Sequence, residues 1–128
     1  MTTLLACLLI MLILPYLAKL PLGYAMNKLG GYDNNQPREQ QAKLTGFGAR
    51  ALAAHQNSFE ALSVFATAIL AAIATQHSSL VIQILAIIYV ISRVAYHVLY
   101  LMDLASLRSL TWFIGYICCL LILIQCFY

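Results

Sequence analysis

Long apolar stretches alternate with short polar breaks along the whole chain. A helix that crosses a membrane needs about 20 predominantly apolar residues, and the pattern supplies stretches of that length at about residues 3–25, 46–75, 80–101 and 107–128. We therefore predict an all-α integral membrane protein in which residues 1–128 form one domain. Because short connections join neighbouring helices in antiparallel order, we expect an up-down-up-down bundle of four transmembrane helices.

The longest polar break, residues 27–45, is predicted to be a loop. It contains a Gly-Gly pair, an Asn-Asn pair, Pro37 and five of the eleven charged residues of the chain, and such clusters are typical of turns and loops. Pro15 and Pro21 interrupt the first apolar stretch. Neighbouring helices can satisfy the backbone carbonyls that a proline leaves free, so we retain this stretch as one spanning helix.

The composition excludes an ordinary soluble domain. The chain has only seven Lys or Arg and four Asp or Glu, and 63% of it is hydrophobic, whereas a soluble domain carries about 25% charged residues. The four cysteines lie in apolar stretches without CxxC spacing, so we predict neither a metal site nor a disulfide framework. No basic run with interleaved aromatic residues indicates a nucleic-acid partner.

Basic residues cluster on one side of the predicted bundle. That side carries Lys28, Arg38, Lys43 and Arg108, whereas the side with both termini and the 76–79 turn has no Lys or Arg. Cytoplasmic loops of membrane proteins are enriched in Lys and Arg. We therefore expect the two charged loops in the cytoplasm and both termini outside.

Ionisable residues inside the spans are the most informative, because each costs about 2.5 to 3.5 kcal/mol at the centre of a membrane helix. Arg50, Asn57 and Glu60 fall on one face of the second helix, and Arg93 lies inside the third. An ion pair between Arg93 and Glu60 inside the bundle is the simplest way to keep both charged. We expect both side chains to face inward.

These residues predict a polar cavity that opens toward the basic loops. On the third helix, Tyr96, His97 and Tyr100 lie on the same face as Arg93. Arg108 lies at the start of the fourth helix. A cavity lined by three arginines (Arg50, Arg93 and Arg108) would attract a small ligand with carboxylates. Asn57 and Glu60 would hold its amide or ammonium groups.

A structural interpretation of the same residues stays open. The Asn, Glu and Arg side chains inside the spans could serve only to fix the helix register, and Arg50 and Arg108 could extend to the lipid headgroups. His97 is either an acid–base group or a structural histidine. Trp112 and Tyr116 are interpreted as interface anchors or packing residues rather than as ligand platforms.

Three motifs in order resemble the signature of a known family. The stretch Arg50-Ala-Leu-Ala-Ala-His-Gln-Asn57-Ser-Phe-Glu60 is similar to the second-helix signature of the MAPEG family, the membrane-associated proteins in eicosanoid and glutathione metabolism. The third-helix pattern from Arg93 to Tyr100 and the Arg-Ser pair at Arg108 also resemble that family. The resemblance covers the whole chain, as a divergent bacterial-type member, and places it in a bacterial inner membrane.

The resemblance implies a homotrimer that holds glutathione between adjacent subunits near the cytoplasmic face. Its binding candidates are Arg50, Asn57, Glu60 and Arg93, and we add His97. The catalytic candidates are Arg108 and Tyr100, which would stabilise the glutathione thiolate as it attacks a lipophilic substrate from the bilayer.

Two functions follow from these observations. The first is a glutathione-dependent transferase or peroxidase. The alternative is a non-catalytic member that binds membrane lipids or joins a larger membrane complex. The alternative is based on departures from the family pattern: Ala53 stands where many active members have Arg, and residues 103–107 contain no Arg.

Overall fold

The computed structural model describes residues 1–128 and is entirely helical outside its turns. Its helices are α1 (Thr2–Asn27), α2 (Pro37–Ala42), α3 (Gly46–Ala74), α4 (Leu80–Leu101) and α5 (Ala105–Gln125). Four of them, α1, α3, α4 and α5, are long and apolar enough to cross a membrane. The prediction of four membrane-spanning helices is therefore confirmed.

The segment predicted to be loop contains one short helix. Pro37 begins α2, a favourable first helical position because proline has no N–H to leave unpaired there. Gln40 on this helix is buried, and its amide donates to the carbonyl oxygens of Met26 at 3.1 Å and Gly31 at 2.6 Å. The amide therefore fastens the connecting segment to the end of α1, so residues 37–42 are not free loop.

Four helices share one hydrophobic core. At its centre the ring of Phe65 on α3 stacks on Tyr89 of α4, with ring centroids 4.4 Å apart. The Tyr89 hydroxyl donates to the backbone carbonyl of Ala61 at 2.7 Å. Buried alanines on α3 such as Ala68 and Ala72 allow neighbouring helices to approach closely, as small residues do in membrane bundles.

Polar contacts tie α1 to the rest of the bundle. Thr3 near the start of α1 donates to the side chain of Gln83 on α4 at 2.8 Å. Midway along α1, Nδ1 of His55 on α3 donates to the carbonyl oxygen of Pro15 at 2.9 Å. This contact joins α1 to α3, but the carbonyl that Pro15 leaves free is that of Met11, four residues earlier, so the expectation that a neighbouring helix satisfies that carbonyl stays a prediction.

The helices differ in what they expose. Away from their ends, the exposed residues of α1, α4 and α5 are aliphatic or aromatic, which suits contact with lipid. In contrast, the middle of α3 exposes Gln56, Glu60, Ser63 and Thr67. We call these four residues the α3 polar stripe. Their spacing of four, three and four residues puts them on one face of the helix.

Tight packing of α5 on α4 predicts a sensitive position at Gly115. A Cβ atom there would lie 2.8 Å from Oγ of Ser92 and 3.4 Å from the Tyr89 ring. We expect Gly115→Val to destabilise the fold by about 1–3 kcal/mol through overpacking. Gly23→Val is the matched control, since no atom lies within 4 Å of that position. Thermal unfolding in detergent, followed by circular dichroism, would contradict the packing argument if both variants unfolded alike.

Candidate functional site

Arg93 is a buried cation inside a membrane-spanning helix. Its side chain is only 2% exposed, so protein must replace the water that a guanidinium requires. Nη2 of Arg93 donates to Oδ1 of Asn57 on the neighbouring helix α3. The guanidinium carbon also lies 4.2 Å from the centre of the Tyr96 ring, a favourable cation–π geometry. Nε of Arg93 has no hydrogen-bond acceptor, so the group retains an unused donor.

Asn57 connects this cation to a carboxylate. Its Nδ2 donates to Oε2 of Glu60 at 3.0 Å, while its Oδ1 accepts from Arg93. An amide suits this position because one end accepts from a cation and the other donates to an anion. The predicted direct ion pair between Arg93 and Glu60 is therefore wrong: the only ion pair in the chain joins Arg50 and Asp103, and an amide separates the other two charges.

Glu60 does not face the inside of the bundle. It is exposed on the outer surface of α3, so the expectation that both charged groups point inward holds for Arg93 and is wrong for Glu60. The reason is geometric, because Asn57 and not Glu60 occupies the side of α3 that meets α4. A carboxylate exposed at membrane depth requires a polar neighbour or a wet cavity.

A small cleft of about 160 Å³ opens beside this network, between α3, α4 and α5. Its lining residues are Asn57, Glu60, Ala61, Val64, Tyr89, Arg93, Trp112 and Tyr116. The rings of Trp112 and Tyr116 are stacked with their centroids 5.5 Å apart and form an aromatic wall of the cleft. This volume is smaller than the roughly 300–1,000 Å³ that is typical of sites for small molecules.

The two predicted catalytic residues lie together and join the same network. The guanidinium carbon of Arg108, at the start of α5, lies 4.1 Å from the centre of the Tyr100 ring. Tyr100 in turn meets Tyr96 edge to face at 5.5 Å, and Tyr96 faces Arg93. Cations and aromatic rings thus continue from Arg93 to the end of α4.

Arg50 and His97 lie apart from the cleft. Nη1 of Arg50 is 3.6 Å from Oδ2 of Asp103, a residue in the turn between α4 and α5 with φ of 62°. Nδ1 of His97 donates to the carbonyl oxygen of Arg93 at 2.8 Å, and its buried Nε2 has no partner. The predicted single cavity lined by Arg50, Arg93 and Arg108 is therefore not formed: of these three, only Arg93 lines the cleft.

Sequence reasoning missed the aromatic wall and Tyr89. Trp112 and Tyr116 were interpreted as anchors or packing residues, yet both line the cleft. Their four-residue spacing on the helix that begins with Arg108 was the available signal. Tyr89 sits in an unbroken apolar run, so no local pattern distinguished it from ordinary core residues.

Four spanning helices around a buried arginine, which Asn57 connects to the exposed Glu60, define an integral, multi-pass membrane protein with a polar site within its span. The model of the MAPEG family matches residues 3–128, so the chain belongs to the MAPEG family. The resemblance found in the three sequence motifs is thereby confirmed. No curated protein matches the chain, and no solved structure does.

The bridging role of Asn57 predicts unequal effects of two substitutions. Asn57→Ala leaves the buried guanidinium without its acceptor, and we expect a loss of about 1–3 kcal/mol in stability. Asn57→Asp retains an acceptor for Arg93, now as an ion pair, and should remain closer to the parent protein although it loses the donor to Glu60 and places a second carboxylate beside it. Unfolding by heat in detergent distinguishes the two, and equal losses would show that Arg93 does not depend on this contact.

Proposed function

We propose that this protein is a glutathione-dependent transferase or peroxidase that acts on lipophilic electrophiles where subunits of a homotrimer meet. The observation that carries the proposal is the Arg93–Asn57–Glu60 network, which runs from the buried interior to an exposed carboxylate beside an aromatic wall. A site with polar groups at one end and aromatic groups at the other suits a charged thiol and an apolar acceptor.

The chemistry of the donor set fits glutathione, which has two carboxylates, an ammonium group and two amides. The unused Nε–H of Arg93 is a donor for a carboxylate, and the exposed carboxylate of Glu60 is an acceptor for an ammonium group. Arg50 lies away from the cleft and pairs with Asp103, so it would have to give up that ion pair to take a ligand carboxylate. His97 would act on the site through the carbonyl of Arg93.

Arg108 and Tyr100 would supply the activation step. A free thiol has a pKa of about 8.5, and a nearby cation shifts it toward neutrality. In the proposed transfer the thiol proton passes to solvent, and the thiolate forms a bond from sulfur to the electrophilic carbon. The leaving group departs with its bonding electrons. Trp112 and Tyr116 would hold the apolar part of the electrophile.

The α3 polar stripe supports assembly into a homotrimer. Lipid provides no hydrogen-bond partner for these side chains, and a second copy of the chain can both cover the stripe and enlarge the cleft. The number three comes from the family resemblance. The helices would run in up-down-up-down order, which the contact between the early residues of α1 and α4 supports.

The distribution of charge supports one orientation in the membrane. The segment from Lys28 to Lys43 and the start of α5 at Arg108 carry the basic residues outside the spans. We propose that these face the cytoplasm, with both termini outside, in a bacterial inner membrane.

Turnover by the purified assembly tests the function. With millimolar glutathione and an aryl halide or a lipid hydroperoxide, we expect the parent protein to consume the thiol. Arg108→Gln should lower kcat/KM by roughly a hundredfold, the effect typical of losing one stabilising donor. Lys43→Gln, which removes a positive charge away from the site, is the control. Absence of turnover with both substrates would reject the enzyme and favour the lipid-binding or accessory alternative.

Subunit contact through α3 is tested separately. We expect Ser63→Trp to disrupt the assembly in detergent, because a large ring would separate closely packed helices. Ile91→Trp is the matched control on the apolar outer face of α4, where it should leave the assembly intact. Sedimentation analysis gives the oligomeric state, and an unchanged trimer in both variants would exclude the stripe as the contact surface.

A further inference from the structure

A second and larger cleft lies on the other side of α3, between α1, α2 and α3. Its volume is about 510 Å³. Its polar lining consists of Lys19, Arg38, Gln41, His55 and Gln56, and no acidic residue contributes. We call this the basic cleft. It shares no lining residue with the cleft beside Arg93, so the two sites are separate within one chain.

The cations of the basic cleft have no anionic partner within the protein. The only ion pair in the chain joins Arg50 to Asp103, which leaves Lys19 and Arg38 uncompensated. Glu39, the acid next to Arg38 in sequence, lines a different cleft on the other side of α2. The positive potential of the basic cleft is therefore available to an anion.

The depth of Lys19 makes an anion there energetically favourable. Lys19 is half-buried on α1 and stands eight residues before the helix ends at Asn27, or about 12 Å at 1.5 Å per residue. An ammonium group at that depth requires water or a counter-charge. His55 gives its Nδ1–H to Pro15, so Nε2 is the ring atom left for a ligand.

The basic cleft is bordered by an aromatic pair on the lipid-exposed surface. Tyr16 is 70% exposed and meets Phe59 edge to face, with ring centroids 6.2 Å apart. Phe59 also lines the cleft. Tyr16 lies three residues deeper in α1 than Lys19, or about 4.5 Å at 1.5 Å per residue. The lipid-facing rings therefore adjoin the cations on the side that the acyl chains of a phospholipid would occupy.

We propose that the basic cleft binds the phosphate headgroup of an anionic phospholipid. Lys19 and Arg38 neutralise the phosphate, the amides of Gln41 and Gln56 donate to its oxygens, and the acyl chains leave along Tyr16 and Phe59. Basic pockets between membrane helices bind acidic headgroups by the same chemistry. Because Gln56 also belongs to the α3 polar stripe, this lipid lies at the edge of the proposed subunit contact. The proposal does not depend on glutathione chemistry.

Native mass spectrometry of the full-length protein released from nanodiscs tests this site. The nanodiscs contain equal parts phosphatidylglycerol and phosphatidylcholine, and we expect the parent protein to retain phosphatidylglycerol preferentially. In the double variant Lys19→Gln/Arg38→Gln this preference should fall by about tenfold or more, since each Lys or Arg near an anionic lipid strengthens binding by about 1 kcal/mol. The control Lys28→Gln/Lys43→Gln has the same net charge and should keep the preference for phosphatidylglycerol. The conservative variant Lys19→Arg/Arg38→Lys should also keep this preference, and it shows that substitution at these two positions leaves the protein folded.

Three results would overturn the proposal. The first is a parent protein with no preference for phosphatidylglycerol. The second is an equal loss in both Gln variants, which would reduce the effect to general surface charge. In a third arm, inorganic phosphate is added to protein in phosphatidylcholine nanodiscs. Retention of free phosphate that depends on Lys19 and Arg38, without retention of phosphatidylglycerol, would identify a soluble anion as the ligand.

Discussion

A guanidinium enclosed within a membrane span is the constraint on which the structure of this protein depends. Arg93 is charged, almost fully buried and surrounded by helices that otherwise pack through apolar side chains. Its burial is tolerable only because Asn57 accepts from it and Tyr96 offers its ring face. The contact with Asn57 crosses from α4 to α3 and fixes how the two helices are rotated relative to each other, whereas Tyr96 lies on α4 itself. The contact with Asn57 also determines which side of α3 remains for Glu60, and hence where the polar site meets the surface.

The outer surfaces of the helices divide the molecule into a lipid-facing part and a polar part. The exposed middle portions of α1, α4 and α5 offer only apolar or aromatic groups, whereas α3 offers the polar stripe. A chain with this distribution is incompletely solvated as a single copy in a bilayer.

The sequence was enough to select the residues of the candidate site, but it was not enough to predict how their side chains contact one another. Asn57, Glu60 and Arg93 were selected because polar groups are costly in a membrane helix, and the structure places them in one network. The prediction of a direct ion pair between Arg93 and Glu60 was wrong. It matched opposite charges, and the sequence does not show that Asn57 occupies the contact between α3 and α4. Arg50 was assigned to the same cavity by helical periodicity, but its side chain extends to Asp103 in a distant turn.

The four spanning helices could be predicted from the sequence alone, as could the family and the short list of polar residues within the spans. Such predictions depend only on contiguous segments of the chain, because they use the free energy of transferring each stretch into a membrane and the spacing of residues within each motif. The folded structure was needed to show that Asn57 lies between cation and carboxylate and that Trp112 and Tyr116 form the wall of a cleft. It was also needed to show that Lys19 on α1 and Arg38 on α2 line one cleft. Those relations depend on the rotation of each helix about its axis and on side-chain rotamers, and both are set by packing between residues far apart in the chain.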